Sequence, residues 1–305
     1  MLSGDHDVRP ETGAAENPLT SHNNGALECR QKRGFLMPEL PEVETLRRQL
    51  NPLIAGETIR GLEILDEKLR GIRDPAGKTI LALCRRGKYL EFHLDDGATL
   101  VLHLRMSGRL RWLTGPGVFP HTRFRFSFDS GRLIGIDPRR FATLGSLSDR
   151  PAPSPIADPS QSIRAGKWMD IAAGRRLPVK SFLLDQRLVA GIGNIYACEI
   201  LHAAGIHPGR PSGSLTKGEW IGITAAAKAI LRDAVACRGT SISDWRDLFG
   251  RPGVYQHRLK VYGKAGKACP RCAATVVRIR LGGRGTYFCP ACQLFPRQSC
   301  SARAL

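Results

Sequence analysis

The chain has 305 residues, 42% of them apolar, enough for two compact units and a small appendage. No run of eighteen apolar residues occurs, so the sequence offers no membrane-spanning helix and no membrane partner is expected. Lys and Arg number 46 against 27 Asp and Glu, a formal charge of +19; this exceeds what solubility requires and puts polyanions first among expected partners, a merely basic, Arg-rich surface being the bland alternative.

Residues 1–36 are dominated by Pro, Gly, Asn, Thr and Glu with no apolar period, which predicts a disordered extension. The segment lacks the apolar stretch of a signal peptide, and Asp5, Asp7, Glu11, Glu16 and Glu28 argue against a transit peptide. From Pro41 the pattern turns helical. Val43, Leu46, Leu50 and Leu53 fall at helical spacing, Pro41 suits a first turn, and Pro52 and Gly56 close or bend the helix. The period then drops to two. "TIRGLEIL", "TILALCRR", "KYLEFHL", "TLVLHLRM", "RLRWL", "TRFRFSF" and "RLIGID" read as short antiparallel strands, and Gly97 and Gly131 supply positive φ in the hairpin turns "LDDGAT" and "FDSGR". Residues 37–147 are thus expected to form an antiparallel β-sandwich with a flanking helix, making the whole chain α+β.

Residues 148–162, rich in Pro and Ser, read as a linker. Helices follow within 163–262: "VKSFLLDQRLVAG", "NIYACEILHAAG", and a long one that Thr216 and Glu219 open as a capping box. The nine cysteines, an odd number, do not make a disulfide framework and point to a reducing, cytoplasmic setting. Cys29, Cys84, Cys198, Cys237 and Cys300 are scattered, whereas "CPRC" (269–272) and "CPAC" (289–292) form two matched knuckles. Two such turns complete a tetrahedron, so Cys269, Cys272, Cys289 and Cys292 are expected to hold one structural zinc ion, in a β-hairpin finger spanning 263–297. With four protein ligands, no position remains for water. Arg271, Arg278, Arg280, Arg284 and Arg297 make the finger basic, which suits phosphate contacts. A tail, 298–305, ends the chain.

The stretch "MPELPEVETLRRQL" raises a chemical question. Pro38 at a free N-terminus would be a secondary amine able to attack a carbonyl-like carbon and form an iminium ion. Inside the chain it is a tertiary amide with a delocalised lone pair. The stretch resembles the amino terminus of the formamidopyrimidine-DNA glycosylases, also called 8-oxoguanine-DNA glycosylases. The resemblance runs from Met37 to about Gln293 through "RRGKYL", "HLRMSGRL", "DPRRF", "GIGNIYACE", "AAGIHP", "RPGVYQHRLKVYGKAGKAC" and "GRGTYFCPACQ", ordered blocks that together are highly specific. Residues 1–36 have no counterpart in it, so translation is expected to start at Met37, with proteolytic trimming as the alternative.

The resemblance implies a base-excision-repair glycosylase and abasic-site lyase acting on oxidised purines in duplex DNA, with a helix–two-turn–helix in its helical half. Pro38 would be the nucleophile at C1′, and Glu39 the acid that protonates the sugar ring oxygen. Lys88 and Arg284 would contact phosphates beside the lesion and assist β- and δ-elimination. Glu42 could assist or simply support the helix dipole. Asn194, Lys180 and, by spacing alone, Arg175 would meet backbone phosphates. Met106, Arg139 and Phe141 would fill the void left by an extruded base, Arg139 facing the orphaned partner, and His121 would be a further DNA contact. Singly, Met106 and Phe141 would be ordinary core residues and Lys88 a solvated lysine. A monomer without organic cofactor, associated with a bacterial nucleoid through DNA, is expected.

The sequence departs from the pattern in three places: Arg105 stands where glycine is common, the linker lacks the usual Leu-Gly-Pro-Glu-Pro, and the loop region 244–256 is short. Two rival readings remain. Endonuclease VIII relatives share the architecture but favour oxidised pyrimidines. A DNA-binding protein without catalysis would result if Pro38 stayed acylated.

Overall fold

Glu39 and Glu42 open the first helix. The computed structural model describes residues 37–147, 156, 158–160 and 164–295. The expected extension 1–36, the tail 298–305, Arg297 and most of the linker lie outside the described residues. Helix α1 (Leu40–Ile54) buries Leu40, Val43, Leu46, Leu50 and Ile54. Pro52 does not close it. The ring removes one hydrogen bond in the last turn, the helix runs two residues further, and Ala55 N–H then donates to the Asn51 carbonyl.

Two four-stranded antiparallel sheets follow, built from β1 (Gly61–Ile64), β2 (Ile80–Arg86), β3 (Tyr89–Leu94), β4 (Thr99–His103), β5 (Arg109–Leu113), β6 (Thr122–Ser127), β7 (Arg132–Ile136) and β8 (Thr143–Ser146). Their strand orders are β1-β6-β7-β5 and β2-β3-β4-β8. Leu83, Phe92 and Leu102 of one sheet share a core with Leu110, Phe124, Phe126 and Leu133 of the other, and with α1. The rings of Phe92 and Phe126 stack across the sheets with centroids 5.8 Å apart. Because Phe126 is fully buried there, Phe126→Ala is expected to cost about 3–5 kcal/mol of stability, read from denaturant unfolding.

Strand β8 was not among the expected strands. Its four residues have no alternation of their own and are held by pairing with β4. Met106, expected within a strand, lies in the turn after β4.

The helical half contains α2 (Ala165–Ala172), α3 (Val179–Leu184), α4 (Asn194–Ala204) and α5 (Lys217–Ala236). Trp168, Phe182, Tyr196 and Trp220 dominate its core. Helix α2 had no sequence signal beyond Trp168 and Ala172, its two buried residues. The finger hairpin pairs β9 (Val277–Leu281) with β10 (Arg284–Phe288) through Gly282 and Gly283, whose φ values of +55° and +74° suit a tight primed turn.

The two halves interlock. Leu40 N–H donates to the Gly191 carbonyl at 3.0 Å, and Trp112 N–H to the Leu248 carbonyl at 3.2 Å. Trp245 and Leu248, from the segment after α5, join the core of the sandwich.

Candidate active site and metal centre

The first turn of α1 points at the first turn of α4. Gly193 opens α4 without a side chain, and Glu39 serves as its cap from across the fold: Ile195 N–H donates to Oε1 at 3.0 Å and Tyr196 N–H to Oε2 at 3.4 Å. A Cβ at Gly193 would stand 2.2 Å from Glu39 Cδ, so only glycine admits the carboxyl group. Burial pushes the Glu39 carboxyl up to about 7; the charge of Lys88 and the two N–H groups pull it down, and Glu42 adds to the rise. Glu42 is equally buried. It accepts from Glu39 N–H at 2.8 Å, Thr240 N–H at 2.7 Å and the Tyr196 hydroxyl at 2.7 Å. It therefore ties together α1, α4 and the loop after α5, and burial also raises its carboxyl above the usual range.

Lys88 sits in the β2–β3 turn, 6% exposed. Gly87, at φ +61°, presses that turn against Ala190, where a Cβ would lie 2.9 Å from the alanine methyl. Burial holds the Lys88 ammonium below its ordinary pKa; Glu39 opposes that shift and Arg284 reinforces it. The carboxyl, the lysine and the finger arginine are thus electrostatic neighbours. Pro38 is buried and lines a shallow, open cleft together with Glu42, Met106, Thr240, Asp244 and Trp245. Arg109 reaches from β5 to pair with Asp244 on the far wall.

Lys180 departs from the expected surface contact. It is fully buried, and its ammonium donates to Asn194 Oδ1 at 2.6 Å, Thr286 Oγ1 at 2.7 Å and the Gly285 carbonyl at 3.4 Å. Asn194 Nδ2 donates to the same carbonyl at 3.0 Å. This clamp fastens β10 to α3 and α4 one residue beyond Arg284, which remains exposed. Arg175 is exposed on the α2–α3 loop, its guanidinium folded back onto the Ile171 carbonyl at 2.6 Å.

Met106 is half-buried at the cleft, whereas Arg139 and Phe141 are exposed and stacked, the guanidinium 4.6 Å from the ring centroid. One buried carboxylate organises all three. Asp137 accepts from Arg139 N–H at 3.2 Å, Phe141 N–H at 2.7 Å, Ala142 N–H at 2.6 Å and the hydroxyl of Ser107, next to Met106. Exposed His121, at φ +63°, receives Asp137 N–H on its carbonyl at 3.0 Å. Asp137→Ala would strand these donors and remove the second carboxylate, 3.6 Å away, from the buried Arg123 guanidinium, which keeps its pair with Asp66. A loss of about 3–5 kcal/mol by chemical denaturation is expected, with weaker binding to an abasic duplex by fluorescence anisotropy.

The four cysteines converge. Their sulfurs all lie within 4.8 Å of one another, with separations of 3.4 Å for Cys272–Cys289, 3.3 Å for Cys272–Cys292 and 3.9 Å for Cys269–Cys292. Zn–S bonds of ~2.3 Å in a tetrahedron place sulfurs ~3.8 Å apart, so the four thiolates fit one structural zinc ion. Gln293 braces the second knuckle, accepting from Cys289 N–H at 2.9 Å and donating to the Ile206 carbonyl at 2.8 Å.

Residues 37–144 match the formamidopyrimidine-DNA glycosylase N-terminal domain, 153–245 the H2TH domain of the same enzymes, and 266–294 the zinc finger found in FPG and IleRS. The formamidopyrimidine-DNA glycosylase of Moorella thermoacetica is 46% identical over 264 residues, covering 80% of this chain and 95% of that protein. That of Alkalilimnicola ehrlichii is 40% identical over 281 residues, covering 84% and 100%. The chain belongs to the formamidopyrimidine-DNA glycosylase family.

Solved members of the family share the fold. A mutant of the Lactococcus lactis glycosylase in complex with Fapy-dG-containing DNA matches with a TM-score of 0.75 at 34% identity, over 85% of this chain and all of that one. The Lactococcus lactis glycosylase bound to DNA containing an abasic site matches at 0.74 and 34%, over 84% and 100%. Among the described residues, no helix is long and apolar enough to cross a membrane. Within this glycosylase site, sequence reasoning left Glu42 undecided and missed Asp137, Tyr196 and Asp244. Only Glu42 carried a signal, its spacing of three from Glu39 at a helix start.

Proposed function

We propose that the protein removes oxidised purines from duplex DNA and then cleaves the strand at the resulting abasic site. The observation that carries this reading is Pro38 on the wall of an open cleft, followed in the chain by a Glu39 carboxyl kept partly protonated near neutrality, whose charged neighbour is the buried Lys88. The amine of Pro38, once it is the first residue, attacks C1′ of the damaged nucleotide. The base departs with the proton that the amine sheds, and Glu39 gives its own proton to the sugar ring oxygen as the ring opens, leaving an iminium ion on Pro38. Lys88 and exposed Arg284 flank the phosphates that leave in successive β- and δ-eliminations. Asn194 fixes the helix start and hairpin that carry this face, with Lys180 acting from inside the fold. Arg175 and His121 add DNA contacts at the periphery.

Met106, Arg139 and Phe141, held as one unit by Asp137, fill the gap when the base is turned out, at a cost of a few kcal/mol that these contacts offset. The partner is damaged double-stranded DNA, a reading supported by the Lactococcus lactis complexes with Fapy-dG-containing and abasic-site-containing DNA, and affinity should fall steeply with salt because neutralised phosphates release counterions. Excision assays test the reading. A zinc-loaded chain starting at Pro38 should release 8-oxoguanine opposite cytosine faster than it releases thymine glycol, and should leave phosphates at both ends of the gap. Preference for thymine glycol would favour the pyrimidine branch, and intact strands would end the enzymatic reading.

A further inference from the structure

Helix α4 meets the zinc finger at its C-terminal end, and one residue there makes two contacts with the first knuckle. His202 is 2% exposed and places Nε2 3.4 Å from Sγ of Cys269, itself 2% exposed. The His202 carbonyl accepts from Arg271 Nη1 at 2.7 Å, and the neighbouring Ala203 carbonyl receives the same guanidinium nitrogen at 3.4 Å. Arg271, which the sequence suggested for phosphate contact, thus caps the negative end of a helix.

We propose that His202 is an outer-sphere partner of the zinc ion, its Nε2–H donating to the Cys269 thiolate. The direction of the hydrogen bond follows from the metal. A zinc-bound thiolate has lost its proton and can only accept, so the hydrogen between the two atoms belongs to the imidazole. Four thiolates on a divalent ion leave an excess of negative charge at a half-buried site, with Cys269 and Cys289 on its buried side. A donor aimed at one sulfur disperses part of that charge and makes the sulfur less prone to protonation or exchange. The contact also gives the metal mechanical reach. Zinc fixes Cys269; Cys269 and Arg271 grip residues 202 and 203; the other end of the same helix presents the N–H groups of Ile195 and Tyr196 to Glu39. His202 is a positioning residue, since it lies at the opposite end of α4 from Pro38.

The experiment uses the full chain loaded with cadmium-113 or zinc. In the cadmium form, a scalar coupling between the metal and the His202 Nε2 proton is expected, transmitted through the Cys269 sulfur. A proton found on Nδ1, or no coupling at the Nε2 proton, overturns the proposal. In the zinc form, a chromophoric chelator should extract metal about 10–100-fold faster from His202→Leu than from the parent chain. His202→Gln, which keeps an N–H donor, should stay close to the parent, a distinction that packing alone would not produce. Extraction from His202→Leu at the parent rate, or equal acceleration in both variants, overturns it. Should the leucine variant fail to fold, the coupling in the unsubstituted chain decides the matter.

Discussion

A chain beginning at Pro38 is expected to form a borohydride-stable adduct with abasic duplex DNA, and a chain that retains Met37 ahead of it is expected to form none. The difference should be all or nothing. As an internal residue, Pro38 has a nitrogen whose lone pair is shared with the carbonyl of Met37, and restoring its nucleophilicity would mean breaking amide resonance. As a first residue it is a secondary amine facing the cleft. A denaturing gel after reduction, with the first residue of each sample confirmed by mass spectrometry, reads the outcome. An adduct from material with residue 1 intact would remove Pro38 as the nucleophile. The catalytically inert reading would gain if both chains bound the duplex equally and neither was trapped.

Glu39→Gln should separate chemistry from stability. In a chain starting at Pro38, loss of the proton donor is expected to slow ring opening by about 10²–10⁴-fold, measured in single-turnover assays. Stability should move the opposite way at alkaline pH. The folded-state pKa of Glu39, about 7, lies above the ordinary carboxyl value of 4.5, so the fold favours the protonated form. That contribution is fully present below pH 4.5 and is lost as pH rises through 7. The shift corresponds to about 3 kcal/mol. Measured with Pro38 acylated, so that no amine charge intrudes, the unfolding free energy of the parent should fall between pH 4.5 and 7 relative to the glutamine variant. Parallel pH profiles for the two chains would show that the carboxyl is solvated and would discard its role as a neutral acid.

What could be read from the sequence was local. The cysteine knuckles gave the metal site because two residues per turn fix sulfur geometry regardless of the rest of the fold. The sandwich strands showed because alternation of apolar side chains is written within each segment. The carboxylate hub at Glu42 did not show, since Tyr196 and Thr240 join it from 154 and 198 residues away. Asp137 showed only as the last residue of the strand "RLIGID", and its value lies in backbone donors that composition does not reveal. Lys180 was expected at a backbone phosphate, and its burial could not be read from the sequence. Burying it required acceptors from a strand more than a hundred residues later. Strand β8 and helix α2 were too short to carry a period and exist through the neighbours they pack against.

Three glycines touch no DNA group named in the proposed reaction, yet each leaves room on which the site depends. A methyl group at Gly193 would meet Glu39 Cδ at 2.2 Å, one at Gly239 would meet Glu42 Oε1 at 2.6 Å, and one at Gly191 would meet Leu40 Cδ1 at 2.6 Å. The first two collisions displace an acid directly, and the third shifts Leu40, the residue that follows Glu39. A lineage carrying one of these alanines could therefore keep abundant, zinc-loaded protein and still accumulate mutations from unrepaired guanines, a defect that inspection of the catalytic side chains alone would overlook.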